Sequence, residues 1–129
     1  MKLLLDTNAY SGMLRGDVIV SSLIRSAEHL YLPYPVVGEL LFGFRLGARE
    51  QENLLTLQEF LATPVVNLLE IDYATCEVYA RIGQQLRETG KPIPTNDHWI
   101  AAIAIRHSLV LLSRDEHFNA VPGLDWRPF

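Results

Sequence analysis

Cysteine is almost absent from this chain. One cysteine, Cys76, in 129 residues allows no internal disulfide and no thiolate metal cluster. The expected place for that lone thiol is the interior, as a small hydrophobe in a reducing compartment. His29, His98, His107 and His117 are scattered, with no i, i+4 pairing, so no zinc motif is present and structural or surface roles are expected. His117, nearest to an acid of interest, is the one to test. Long apolar runs are missing as well. Ile100–Ile105 is far too short to span a bilayer, and Asp6 ends the opening apolar run too early for an export signal. No membrane association and a cytoplasmic location are expected. Basic charge is in deficit, with 11 Lys+Arg against 15 Asp+Glu and a net charge of −4. No broad nucleic-acid footprint exists, so a phosphate-bearing partner would need local arginines or bound cations. Repeats, linkers and low-complexity tracts are lacking too. The chain is 49% hydrophobic and 20% charged, which excludes disorder and suits one domain over residues 1–129.

What is present alternates strand-like and helix-like segments. Lys2–Asp6 is an unbroken apolar run ended by a carboxylate, as in a strand buried on both faces. Thr7 and Asn8 can cap a helix that Gly16-Asp17 breaks, and Val18–Glu28 reads as a second. Leu30–Leu32 reads as a strand. Pro35 opens a third helix, with Val37, Leu40, Leu41 and Phe44 on one face. Gln51–Leu61 is a fourth helix and Val65–Leu69 a third strand. Asp72 caps a long helix to Glu88, with Tyr73, Cys76, Tyr79, Ala80 and Gly83 expected inward. Thr95 or Asn96 caps a helix through His107 that is apolar nearly all round, hence buried. Leu109–Leu112 is a fourth strand, Asp115–Asn119 a turn or short helix, and a last strand lies near Leu124–Trp126. The alternation predicts a three-layer α/β/α sandwich with a mainly parallel sheet.

Four acids fall where solubility explains them poorly. Asp6 ends the first strand and Asp115 follows the fourth, so both lie at the carboxyl edge of a parallel sheet, where ligands bind. Asp97 lies in the first turn of the buried helix, where the helix dipole favours its charge. Glu39 lies off the main apolar face of the third helix, beside Val36 and Gly43. Each alone has an ordinary explanation as a cap, first-turn acid, turn residue or solvated side chain. Together they converge on one rim. Several carboxylates in one pocket require either protonation or a divalent cation, and oxygen-only ligation selects Mg²⁺ or Mn²⁺. Such a cation also lets an acidic protein bind a phosphodiester.

Leu3-Leu4-Leu5-Asp6-Thr7-Asn8, Val36-Val37-Gly38-Glu39-Leu40, Ile93-Pro94-Thr95-Asn96-Asp97 and Leu111-Leu112-Ser113-Arg114-Asp115 resemble, in order, the four motifs of PIN-domain ribonucleases. The length and the ending Val121-Pro122-Gly123-Leu124 look like the VapC toxins of bacterial toxin–antitoxin pairs. The resemblance implies a parallel sheet of about five strands and endoribonuclease activity dependent on Mg²⁺ or Mn²⁺. It implies Asp6, Glu39, Asp97 and Asp115 as the acidic quartet, with Asp6 and Asp97 in direct metal contact. Thr7, Asn8 and Ser113 would brace the pocket. His98 and Trp99 fall at variable positions and receive no catalytic role. Arg114, next to Asp115, is the arginine expected to touch RNA. Trp99, Tyr34 and Trp126 are expected to pack rather than to stack bases. Phe42, Phe44 and Leu46 suit a groove for an antitoxin peptide, a dimer contact or the core in equal measure. An antitoxin would shield the pocket, with an arginine among the acids, and a homodimer is common in such proteins. Two rivals stand beside this reading: a structure-specific DNA nuclease of the same fold, and a non-catalytic module that binds metal and antitoxin.

Overall fold

The computed structural model describes residues 1–129. Five strands form one sheet: β1 (Lys2–Leu5), β2 (His29–Pro33), β3 (Val66–Leu69), β4 (Val110–Leu112) and β5 (Trp126–Arg127). All pairings are parallel, in the order β3-β2-β1-β4-β5. Six helices flank it: α1 (Thr7–Leu14), α2 (Val18–Ser26), α3 (Tyr34–Leu46), α4 (Glu50–Leu61), α5 (Tyr73–Thr89) and α6 (Thr95–Arg106). A 3₁₀ turn, Glu116–Ala120, follows β4. Right-handed crossovers from β1 to β2 to β3 put α1–α4 on one face. The chain then returns past β1 to β4, which puts α5 and α6 on the other. Tyr10 of α1 meets Phe60 of α4 edge-on at 5.3 Å, closing the first layer. The three-layer α/β/α sandwich is therefore as expected.

The centre is built as the apolar runs require. Leu3, Leu4 and Leu5 of the middle strand and Leu111 and Leu112 beside it are fully buried. On α6, Ile100, Ala101, Ala102, Ile103 and Ala104 are fully buried in succession, so apolar residues all round do mark a sequestered helix. Leu4→Ala should cost about 2–5 kcal/mol in a urea titration, because the cavity would open in the middle of the sheet.

Several local expectations are corrected. The inward stripe of α5 is Thr75, Val78, Ile82 and Leu86, one residue (about 100°) away from the expected face. Cys76 is exposed and Tyr73 is 81% exposed. The aromatic content of the flank misled: Tyr79 is used sideways against α6, stacked on His98 at 3.6 Å and on Trp99 at 3.8 Å. The buried face of α3 centres on Val36 and Leu40; Phe44 packs against the core, whereas Leu41, Phe42 and Leu46 are exposed. The cap of α1 is Asp6, not Thr7 or Asn8. α6 starts after Pro94 with no side-chain cap, because proline at the cap position has no side-chain acceptor and Thr95 and Asn96 lie inside the first turn.

The winding of the chain reverses at β1, whose neighbours are β2 on one side and β4 on the other. A crevice at the carboxyl ends of β1 and β4 follows from that reversal. Asp6 and Ser113 are the residues immediately past those two ends.

Candidate functional site

Asp6 is 4% exposed and is held from two directions. As the cap of α1, its Oδ1 accepts the Thr7 N–H at 2.8 Å. Its Oδ2 accepts the Ser113 hydroxyl at 2.6 Å, across the crevice. Ser113 Oγ in turn accepts the Asp115 N–H at 3.0 Å and the Asn8 amide at 3.4 Å. Asn8 Oδ1 accepts the Arg114 N–H at 3.0 Å, and the Trp126 indole donates to the Ser113 carbonyl at 3.0 Å. These bonds lace the end of β1 to the end of β4. Ser113 is wholly buried, so Ser113→Ala should destabilise the fold by about 1–3 kcal/mol in a denaturant titration, because it strips Asp6 Oδ2 of its donor.

Glu39 reaches the same rim from α3. Its Oε2 accepts the Thr7 hydroxyl at 2.9 Å and its Oε1 accepts the Asn96 amide at 3.0 Å. It is an anchored side chain bridging α1, α3 and α6, not a solvated one.

Asp97 enters from the first turn of α6 and is only 9% exposed. Its carboxyl is pushed up to about 6, mainly by burial and further by the charges of Asp6 and Asp115, against the pull of a bond to His117. Burial likewise raises the Asp6 carboxyl, with Glu39 and Asp115 adding to the rise and the Ser113 and Thr7 bonds opposing it. Asp6 and Asp97, 91 positions apart in the chain, are thus electrostatic neighbours, as are Asp6 and Glu39. The folded chain brings all four acids to one place.

Asp115 follows β4 and caps the 3₁₀ turn, accepting the His117 N–H at 3.2 Å. That turn swings the His117 ring back over the acids. His117 Nδ1 lies 2.8 Å from Asp115 Oδ1 and 3.1 Å from Asp97 Oδ2. The bond to Asp97 and the charge of Asp115 raise the imidazole above its usual range, against a smaller opposing effect of burial. Residue types alone did not bring His117 into the cluster. The available signal was a histidine two positions after an acid that opens a tight turn.

Arg114 adjoins the acids in sequence, but its guanidinium turns outward. It pairs with Asp17 Oδ2 at 3.7 Å and lies over the Phe129 ring at 4.8 Å. Trp99 packs on Tyr79, as expected for a structural aromatic.

The donor set fits a hard divalent cation. Ligand atoms of Asp97, Asp115 and His117 lie within 4.8 Å of one another, and Asp6 and Glu39 border them. Two of these carboxyls are raised by burial and mutual repulsion, a condition that a cation relieves. The carboxylate majority suits Mg²⁺ or Mn²⁺. The imidazole is the one nitrogen donor, absent from the all-oxygen site expected from the sequence.

Comparison with known proteins agrees with the geometry. The PIN domain matches residues 3–124. The chain is 29% identical to "Ribonuclease VapC1" of Haemophilus influenzae over 130 residues, covering 96% of this chain and 95% of that one. It is 34% identical to "Toxin FitB" of Neisseria gonorrhoeae over 123 residues, covering 88% and 87%. Among solved structures, VapBC2 from Rickettsia felis, bound to a DNA fragment from its promoter, superposes with a TM-score of 0.87 at 19% identity, over 100% of this chain and 99% of that one. With the parallel order β3-β2-β1-β4-β5 and the acids at its switch point, these matches place the chain in the PIN-domain family, among the VapC-type members.

Proposed function

We propose that residues 1–129 form a single nuclease domain, a Mg²⁺- or Mn²⁺-dependent endoribonuclease that acts as the toxin of a toxin–antitoxin pair. The observation that carries this reading is the junction of Asp6 and Asp97. Two buried carboxylates from distant parts of the chain lie within electrostatic reach of one another, with Glu39 and Asp115 acting on the same site. The names of the relatives, a ribonuclease and a toxin, point the same way.

In this reading Asp6 and Asp97 hold the cation directly, with Glu39 and Asp115 completing the acidic quartet. When bound, a divalent cation supplies charge stabilisation to the phosphoryl group and activation of the attacking water. The protein supplies the rest. Ser113 and the Thr7 amide fix both oxygens of Asp6. Thr7 and Asn96 fix both oxygens of Glu39. Asn8 ties the end of β4 to α1. One carboxylate of the group accepts the proton of the attacking water. His117 Nδ1 lies between Asp97 and Asp115 and holds their two carboxylates in place. The substrate is RNA, and the partner is a cognate antitoxin that places an arginine among the acids. A homodimer and a cytoplasmic location belong to the same reading.

The test is direct. Purified protein with Mn²⁺ is incubated with labelled RNA, with DNA of the same sequence and with branched DNA. Cleavage of the RNA alone is the expected result. Cleavage of branched DNA alone would favour a DNA nuclease, and metal binding without cleavage of any RNA pool a binding module.

A further inference from the structure

A groove of about 630 Å³ opens beside the carboxylates. Lys91 and Ile93, from the loop ahead of α6, line it together with Arg114, Asp115, His117 and Asn119, from the segment after β4. Its two cations, Lys91 and Arg114, stand opposite two acids, Asp115 and Glu116. The cations are not equivalent. Arg114 is tied to Asp17 and to the Phe129 ring. Lys91 is exposed and forms none of the ion pairs of the fold.

The backbone under Lys91 is fixed. Gly90 ends α5 in the left-handed region at φ 67°, a conformation that suits glycine. The Lys91 N–H then donates to the Leu86 carbonyl at 3.0 Å. Pro92 and Pro94 restrict the next turns of chain. The main chain is therefore anchored at Lys91, whose ammonium forms no ion pair and whose residue lines the same groove as Asp115 and His117. An ammonium binds any phosphate oxygen as a point charge, without reading a base. The other lysine, Lys2, starts β1, away from this loop.

We propose that Lys91 binds a backbone phosphate of the RNA strand adjacent to the scissile one, and so sets the path by which the strand leaves the carboxylates. The inference rests on the ribonuclease reading above. It assigns Lys91 to substrate positioning, not to chemistry at the cleaved bond.

The experiment compares wild type, K91Q, K91R and, as a control, K2Q, with one labelled RNA and Mn²⁺ at several salt concentrations. For K91Q, KM should rise about tenfold with kcat within about twofold, the size of one charge-assisted hydrogen bond. The slope of log(kcat/KM) against log salt should become shallower by about 0.7, the value for one lost contact to a single strand. K91R should keep the wild-type slope, and K2Q should match wild type throughout. Normal cleavage by wild type with an unchanged KM and slope in K91Q overturns this inference alone. Absence of RNA cleavage by wild type overturns the function and this inference with it.

Discussion

Replacing Asp97 by asparagine should lower RNA cleavage by more than about a hundredfold, because even residues behind a metal ligand cost 10–100-fold when lost. The same change should make the fold more stable at neutral pH. The sign follows from its proton. The Asp97 carboxyl is raised from 3.8 to about 6 in the folded chain, chiefly by burial. Between those values the folded state binds more protons than the unfolded one, so stability falls as pH rises through that window and stays low above it. Asparagine has no charge to bury, and D97N should gain about 1–2 kcal/mol at pH 7.5. The gain is smaller than the full shift because the bond to His117 is weakened. At pH 4 the gain should vanish, since aspartate is then protonated in the fold as well. Urea titrations at the two pH values, together with a cleavage assay, check both halves. A variant that cuts RNA at the wild-type rate would remove the carboxylates from the mechanism. Asp6→Asn should also abolish cleavage, with a smaller stability gain, because its oxygens already receive hydrogen bonds from Ser113 and Thr7.

Chelation is expected to have an equally large effect. EDTA should stop RNA cleavage completely, and added Mg²⁺ or Mn²⁺ should restore it. Saturating cation should also raise the melting temperature, since a ligand at 100 times its Kd stabilises the folded state by about 2.7 kcal/mol. Below about pH 6 that stabilisation should shrink, because Asp97 must give up a proton before it can bind. Calorimetry with and without Mn²⁺ at pH 5 and pH 7.5 measures this directly. D6N should show little cation-dependent shift at either pH. A wild-type melting temperature indifferent to Mn²⁺ at both would argue against a cation at this site.

The architecture was readable because its signals were redundant. Lys2–Leu5 and Val110–Leu112 carry no polar alternation, so both read as strands buried in a parallel sheet. α6 declared its burial by being apolar on every side. The acids were readable because a charge at the end of such a strand, or in the first turn of such a helix, conflicts with its surroundings. Details set by tertiary contacts were less accessible. Periodicity could not show which stripe of α5 is fully buried, since Tyr79 and Gly83 lie against α6; a side chain at Gly83 would meet His98 at 3.1 Å. The position of His117 depends on a single 3₁₀ turn. The outward path of Arg114 depends on Asp17 and Phe129, both remote in sequence.

The bond between Ser113 and Asp6 joins residues separated by 107 positions. Its consequence is temporal. Asp6 is synthesised well before the hydroxyl that fixes it and before Asp115, two positions later. Until β4 pairs with β1, the acids are not gathered. The acidic cluster is therefore a late product of folding, assembled only once the chain as far as Asp115 is available to pair with β1.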